Sequence, residues 1–208
     1  MIDIGEGIGN LDAIFRSDKE LARMIAVELS IVRDDERAVL EWVSDAGVGF
    51  DIGLQQDGQT VPVEVIYRTR ECIVRNETSG IEFDLPTNGA YRIYFYRNIW
   101  NLRILERIVN EESMRGALVL LSNDPEYWRK PQGEEQKRYD DLRLWDGRKI
   151  GDSELGIIGR RDWMEEEGAY EPIQLANRYT IHWRKYSYSD AFELQGPSEF
   201  RYVVLDID

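Results

Sequence analysis

The chain has 208 residues, a formal net charge of −14, and 42% hydrophobic and 11% aromatic residues. That length suits one compact domain, and the apolar content excludes global disorder. No apolar run approaches a membrane span, the lone Cys72 rules out an internal disulfide or a cysteine-based zinc site, and the acid excess argues against a broadly basic nucleic-acid face.

Residues 1–16 read as a flexible N-terminal lead-in, and 17–208 as a single domain. Gly5-Glu6-Gly7-Ile8-Gly9 resembles a nucleotide-binding glycine run only superficially, because no strand–helix unit holds it. Ser17-Asp18-Lys19-Glu20 has the form of a capping box, and Leu21, Met24, Ile25, Leu29 and Val32 follow at helical spacing, so a helix is predicted over 17–33. Val39 to Val43 reads as a short strand. Phe50 to Leu54 and Val61 to Arg70 flank the turn-forming Gln55-Gln56-Asp57-Gly58-Gln59 and predict a β-hairpin. Cys72 to Val74 and Ile81 to Phe83 predict a second, smaller one.

Ala90 to Asn110 turns helical, with Ile93, Ile99, Leu102, Leu105, Ile108 and Val109 as candidate buried positions. Ala117 to Leu121 is an unbroken apolar run, suited to a central strand buried on both faces. Asn123 to Lys149 reads as a long loop with helical pieces, and Asp162 to Glu167 as an acid-rich loop. Tyr179 to Lys185 and Phe200 to Ile207 predict a closing antiparallel pair joined by Gly196-Pro197-Ser198. Together these elements make an α/β fold, a mixed β-sheet flanked by helices, with no internal repeat and no interdomain linker.

Each strand of the main hairpin carries one acid in apolar surroundings, Asp51 on the first and Glu64 on the second. A buried carboxylate is costly unless it is paired or binds a metal. Two readings stand: the pair seats a hard divalent cation such as Mg²⁺, or Asp51 is bonded to backbone and Glu64 is paired with Arg68 or Arg70. His182 is the only histidine and there is no Gly-x-Ser-x-Gly turn, so neither a two-histidine zinc motif nor that serine hydrolase motif is present. His182 reads as a strand residue with a structural hydrogen bond. Asn123-Asp124-Pro125 reads as a strand-ending turn, and Tyr127 and Trp128 either stack on a base or cover a core edge.

The order of a helix with Glu28, a strand with Glu41, then Asp51 and Val63-Glu64-Val65-x-Tyr67 resembles the PD-(D/E)XK (restriction-endonuclease-like) nuclease superfamily. More narrowly, it is similar to a prokaryotic group of such proteins. Further matches are Leu121-Ser122-Asn123-Asp124-Pro125-x-Tyr127-Trp128, Leu142-Arg143-Leu144-Trp145-Asp146-Gly147-Arg148, Trp183-x-x-Tyr186-Ser187 and Phe200-Arg201-Tyr202. The resemblance spans about residues 17 to 207 and rests on the order and spacing of short motifs. It implies a restriction-endonuclease-like core with a C-terminal antiparallel strand pair. The implied activity is an Mg²⁺- or Mn²⁺-dependent endonuclease-like phosphodiesterase acting on nucleic acid, DNA first. Asp51 and Glu64 are the implied metal ligands and catalytic acids, Glu28 an outer ligand through water, and Glu41 a weaker candidate.

The chain departs from that pattern in two places. Ile66 stands where the group carries a lysine two residues after the glutamate, on the same strand face. Arg68, one step further, is the candidate catalytic replacement, with Arg92 and Arg97 as others; a guanidinium stabilises charge but serves poorly in proton transfer. Arg97 and Asn101 in Tyr96-Arg97-Asn98-Ile99-Trp100-Asn101-Leu102 stand where the group carries acids. An inactive nuclease fold that binds nucleic acid or a protein partner is therefore the alternative, and an acidic DNA-like surface is a third.

The acidic Met1-Ile2-Asp3-Ile4-Gly5-Glu6 lacks the basic and apolar regions of a signal peptide, so a cytoplasmic location is expected. Lysines are few: Lys19, Lys130, Lys137, Lys149 and Lys185. With the acid excess, this fits a halophilic source, where salt screens self-repulsion, and equally an ordinary acidic protein.

Overall fold

The structure, a computed structural model, describes residues 3–32, 37–56, 58–132, 139–157 and 171–208. Within what was expected to be a loose lead-in lies helix α1, Ile4–Asn10, capped by Asp3, whose Oδ1 accepts the Glu6 N–H at 2.9 Å. Ile4, Ile8 and Leu11 repeat at helical spacing and are buried, and a Cβ at Gly7 would stand 2.6 Å from the Leu29 side chain. The glycines here admit close packing, which corrects the expectation of a flexible tail.

Helix α2 is Asp18–Val32, and Ser17 Oγ accepts the Glu20 N–H at 3.2 Å as the capping pattern requires. Strands β1 (Arg37–Val43), β2 (Gly49–Gln56) and β3 (Gln59–Arg68) follow. Gly58 turns the hairpin at φ +77°, a conformation only glycine takes without strain. The second hairpin is present as β4 (Cys72–Asn76) and β5 (Glu82–Leu85). Helix α3, Tyr91–Glu112, then crosses to β6, Gly116–Ser122, whose seven residues are all buried.

The main sheet has six strands in the order β1-β2-β3-β6-β11-β9, where β9 is Arg184–Tyr186 and β11 is Phe200–Ile207. Neighbours are antiparallel except β3 and β6, which are parallel because α3 carries the chain back. One core lies on the α1/α2 face, with Val63, Val65, Tyr67, Val119 and Leu121; the other lies on the α3 face, with Ile66, Leu118, Leu120 and Leu105. The chain is thus a mixed α/β protein.

The closing pair differs from expectation. Of the stretch 179–185, only Arg184 and Lys185, in β9, pair with β11, while Tyr179–Thr180 (β8) pairs with Lys149–Ile150 (β7), and β10 (Phe192–Gln195) intervenes to join β4 in a second sheet. Tyr127 and Trp128 are buried in the α3-side core, so they are core-covering residues and do not present a stacking face. His182 is exposed and lines a surface cavity. The acid-rich stretch from Asp162 to Glu167 lies outside the described residues. No helix among the described residues is long and apolar enough to cross a membrane.

Candidate active site

Beside β3 the sheet opens. Pairing between β2 and β3 ends at Ile52 and Val63, whereas β3 continues against β6 through Arg68. One step beyond the last pair, Asp51 stands across from Glu64, and Asp51 Oδ2 accepts the Val65 N–H at 2.8 Å. A side chain thus takes the place of the missing backbone partner, which fixes Asp51 beside Glu64 where the strands part.

The other edge of β2 is distorted at the same level. β1 and β2 pair at Leu40–Ile52 and Trp42–Phe50, but Glu41 between them has φ +53°, rare for a residue with a Cβ. The first turn of α2 closes the mouth. Lys19 Nζ lies 3.1 Å from Glu41 Oε1, and Lys19, Ala22, Arg23, Leu40, Glu41 and Asp51 line a cavity of about 170 Å³.

Glu64, Ile66 and Arg68 point from β3 toward α3. Glu64 Oε1 accepts from Asn101 Nδ2 at 2.7 Å, and the Arg68 guanidinium sits 4.8 Å over the Tyr94 ring. Tyr94, Asn98 and Asn101 form one stripe of α3 at spacings of four and three. About 10 Å of helix from Tyr94 to Asn101 matches roughly 13 Å of strand from Arg68 to Glu64, which sets Asn98 opposite Ile66. Asn98 is 1% exposed, and neither its Oδ1 nor its Nδ2 has a hydrogen-bond partner. Arg68 Nε is likewise buried without a partner, while its Nη1 meets Tyr67 O at 3.0 Å and Asp18 Oδ2 at 3.5 Å.

The electrostatics follow from this geometry. Burial, then the neighbouring Asp51 charge, push the Glu64 carboxyl up to about 8, against the Asn101 bond and Arg68, which pull it down. Burial also raises Asp51, opposed by the Val65 N–H and assisted by Asp18. Two acids held together at neutral pH therefore share a deficit of positive charge, and Asp51 Oδ1 and Glu64 Oε2 have no protein donor among the described residues.

Mg²⁺ binds through one or two carboxylates and keeps several waters, so two adjacent acids are the smallest protein contribution such an ion takes. Among the described residues there is no group of three or more His, Cys, Asp or Glu arranged to hold a metal. Glu28 does not join the pair: it lies ten residues along α2 from Asp18, about 15 Å of helix. Asp18 is the α2 acid at the site, and sequence spacing missed it because its register depends on how α2 docks. Glu41 lies on the far side of Asp51 and pairs with Lys19. Arg97 is exposed on α3, while Asn101, the residue in an expected acid position, orients Glu64 directly.

Comparison of the chain with protein families, with curated proteins and with solved structures found no match.

Proposed function

We propose that this chain is a divalent-metal-dependent nuclease-like protein with a restriction-endonuclease-like core, acting on the phosphodiester backbone of nucleic acid. One observation carries the proposal: Asp51 and Glu64 converge where β2 parts from β3, with one free oxygen each and both carboxyls titrating above their ordinary range. Carboxyls perturbed by burial and a like charge cluster at functional sites.

A bound Mg²⁺ or Mn²⁺ supplies Lewis-acid polarisation of a phosphoryl oxygen and an activated water at such a site. Asp51 and Glu64 would hold the ion; Val65 N–H and Asn101 Nδ2 fix their orientation. Arg68 offers a permanent positive charge on the Glu64 face for a phosphate oxygen, with its plane steadied by Tyr94. Proton handling falls to solvent, because Ile66 is 1% exposed in the α3-side core and carries no ionisable group.

Ile66 also favours a second reading, a fold that has kept its binding surface and lost turnover. Incubating purified protein with plasmid DNA and Mg²⁺ or Mn²⁺ separates the two, with Asp51→Asn as control. Cutting abolished by the variant supports the nuclease. No cutting at any salt concentration, or equal cutting by the variant, leaves only the binding fold.

A further inference from the structure

The parallel pair β3 and β6 sends both chains out at the same end of the sheet. Ligands of open α/β sheets bind in the crevice outside the carboxyl ends of parallel strands. Here that crevice is a cavity of about 310 Å³, lined among others by Arg70, Asp124, Glu126, Arg129, Lys130 and Arg143.

Its charges divide into two sets. The acids are used internally: Asp124 accepts from Tyr91 Oη at 2.7 Å and from the Glu126 N–H at 3.1 Å, and Glu126 and Asp140 each lie 3.5 Å from Arg143. Arg143 is 3% exposed and gives its other donors to the carbonyls of Glu126 and Arg129. Arg70, Arg129 and Lys130 are exposed and have no carboxylate partner among the described residues. On a chain of net charge −14, three uncommitted cations at one mouth form a local positive field.

The mouth is also rigidly built. Buried Asn123 accepts the Arg70 N–H at 2.7 Å and donates to Arg70 O at 3.1 Å and Pro197 O at 3.2 Å. Arg70 is therefore presented from a clamped backbone, two residues past the end of β3.

We infer that this cavity seats backbone phosphates of a nucleic-acid strand, held by Arg70, Arg129 and Lys130 downstream of the Asp51/Glu64 site. The choice of a strand over a free phosphate rests on the nuclease reading. The phosphate chemistry does not. From Glu64 to Arg70 is about 20 Å of extended chain, or roughly six nucleotides at the axial rise of one strand. The track therefore engages only oligonucleotides long enough to span that distance, whereas a seat for inorganic phosphate alone has no length dependence.

The test uses the full chain in EDTA, so that binding is read without cleavage. A labelled DNA duplex of about 16 base pairs, and a single strand of about 4 nucleotides that is too short to span the track and should not bind, are titrated across a salt series against wild type, the combined Arg70→Ala, Arg129→Ala, Lys130→Ala variant, and a Lys185→Ala surface control. We expect the duplex to bind wild type and the control alike, and the triple variant at least tenfold more weakly. The log–log salt slope should fall by about 2.7 in magnitude, 0.9 per lost phosphate contact. Unchanged affinity and slope in the triple variant, or no binding by wild type at low salt, overturns the inference. So does saturable inorganic phosphate binding that the triple variant loses while DNA affinity stays constant. If Mg²⁺ produces no cutting but the triple variant still loses DNA binding, the nuclease reading fails and the track stands.

Discussion

Two glutamates on the α3 side of the sheet, half-buried Glu64 on β3 and buried Glu106 on α3 itself, face opposite conditions. Glu106, 1% exposed, accepts the N–H groups of Ala176 and Asn177 at 2.9 and 2.8 Å and the Tyr179 hydroxyl at 2.8 Å. Its oxygens are met by donors from residues 176–179, which it pins against the helix. Glu64 accepts a single amide and faces another acid. A fully bonded buried carboxylate does structural work, while one left short of donors beside a like charge is poised to take a cation or a proton.

The sharpest way to break this contrast is to remove each acid in turn. Glu106→Ala leaves two backbone donors and a phenol unpaired, and we expect a loss of about 3 kcal/mol or more in urea unfolding. A loss below about 1 kcal/mol would show that those bonds contribute little net stability.

Glu64→Gln should move stability the other way, and only at higher pH. The folded-state carboxyl titrates near 8 and the unfolded one near 4.5, so the folded chain keeps a proton that the unfolded chain releases. Metal-free wild type therefore loses stability as pH rises from about 4.5 to about 8. The full shift corresponds to roughly 5 kcal/mol, and partial solvent contact reduces our expectation to about 3 kcal/mol. Glu64→Gln should match wild type at or below about pH 4 and exceed it by that margin above pH 8; parallel stability–pH curves would contradict the burial-driven shift.

Asn98→Leu sharpens the same point. Both polar ends of this buried amide lack partners, so an apolar side chain of similar size should stabilise the fold by about 1 kcal/mol. A destabilisation of similar size would mean that an internal water or ligand satisfies Asn98 and that the polar space beside Ile66 is used.

Much of the fold was legible because the signals were periodic: the capped stripe of α2, the α3 pattern, and the unbroken Ala117 to Leu121 run of β6. Helix α1 was masked by its glycines, although Ile4, Ile8 and Leu11 carried helical spacing. The placement of Asp51 and Glu64 on adjacent strands followed from one hairpin, whose register a short turn sets. Asp18, Asn101 and Asn98 could not be assigned to the site from the chain alone. Their approach depends on where two helices dock across the sheet, and local patterns do not encode that. The partnering of Tyr179–Thr180 with Lys149–Ile150 was hidden for the same reason.

Isothermal titration of metal-free protein with Mn²⁺ near pH 7, in two buffers of different ionisation enthalpy, tests most directly whether Asp51 and Glu64 form a cation seat. We expect saturable binding at one ion per chain with net proton release, because the ion displaces the proton that Glu64 holds at that pH. Asp51→Asn retains a carbonyl acceptor for the Val65 N–H and should abolish that binding. Wild type without a saturable isotherm, or an Asp51→Asn isotherm identical to it, would contradict the shared site.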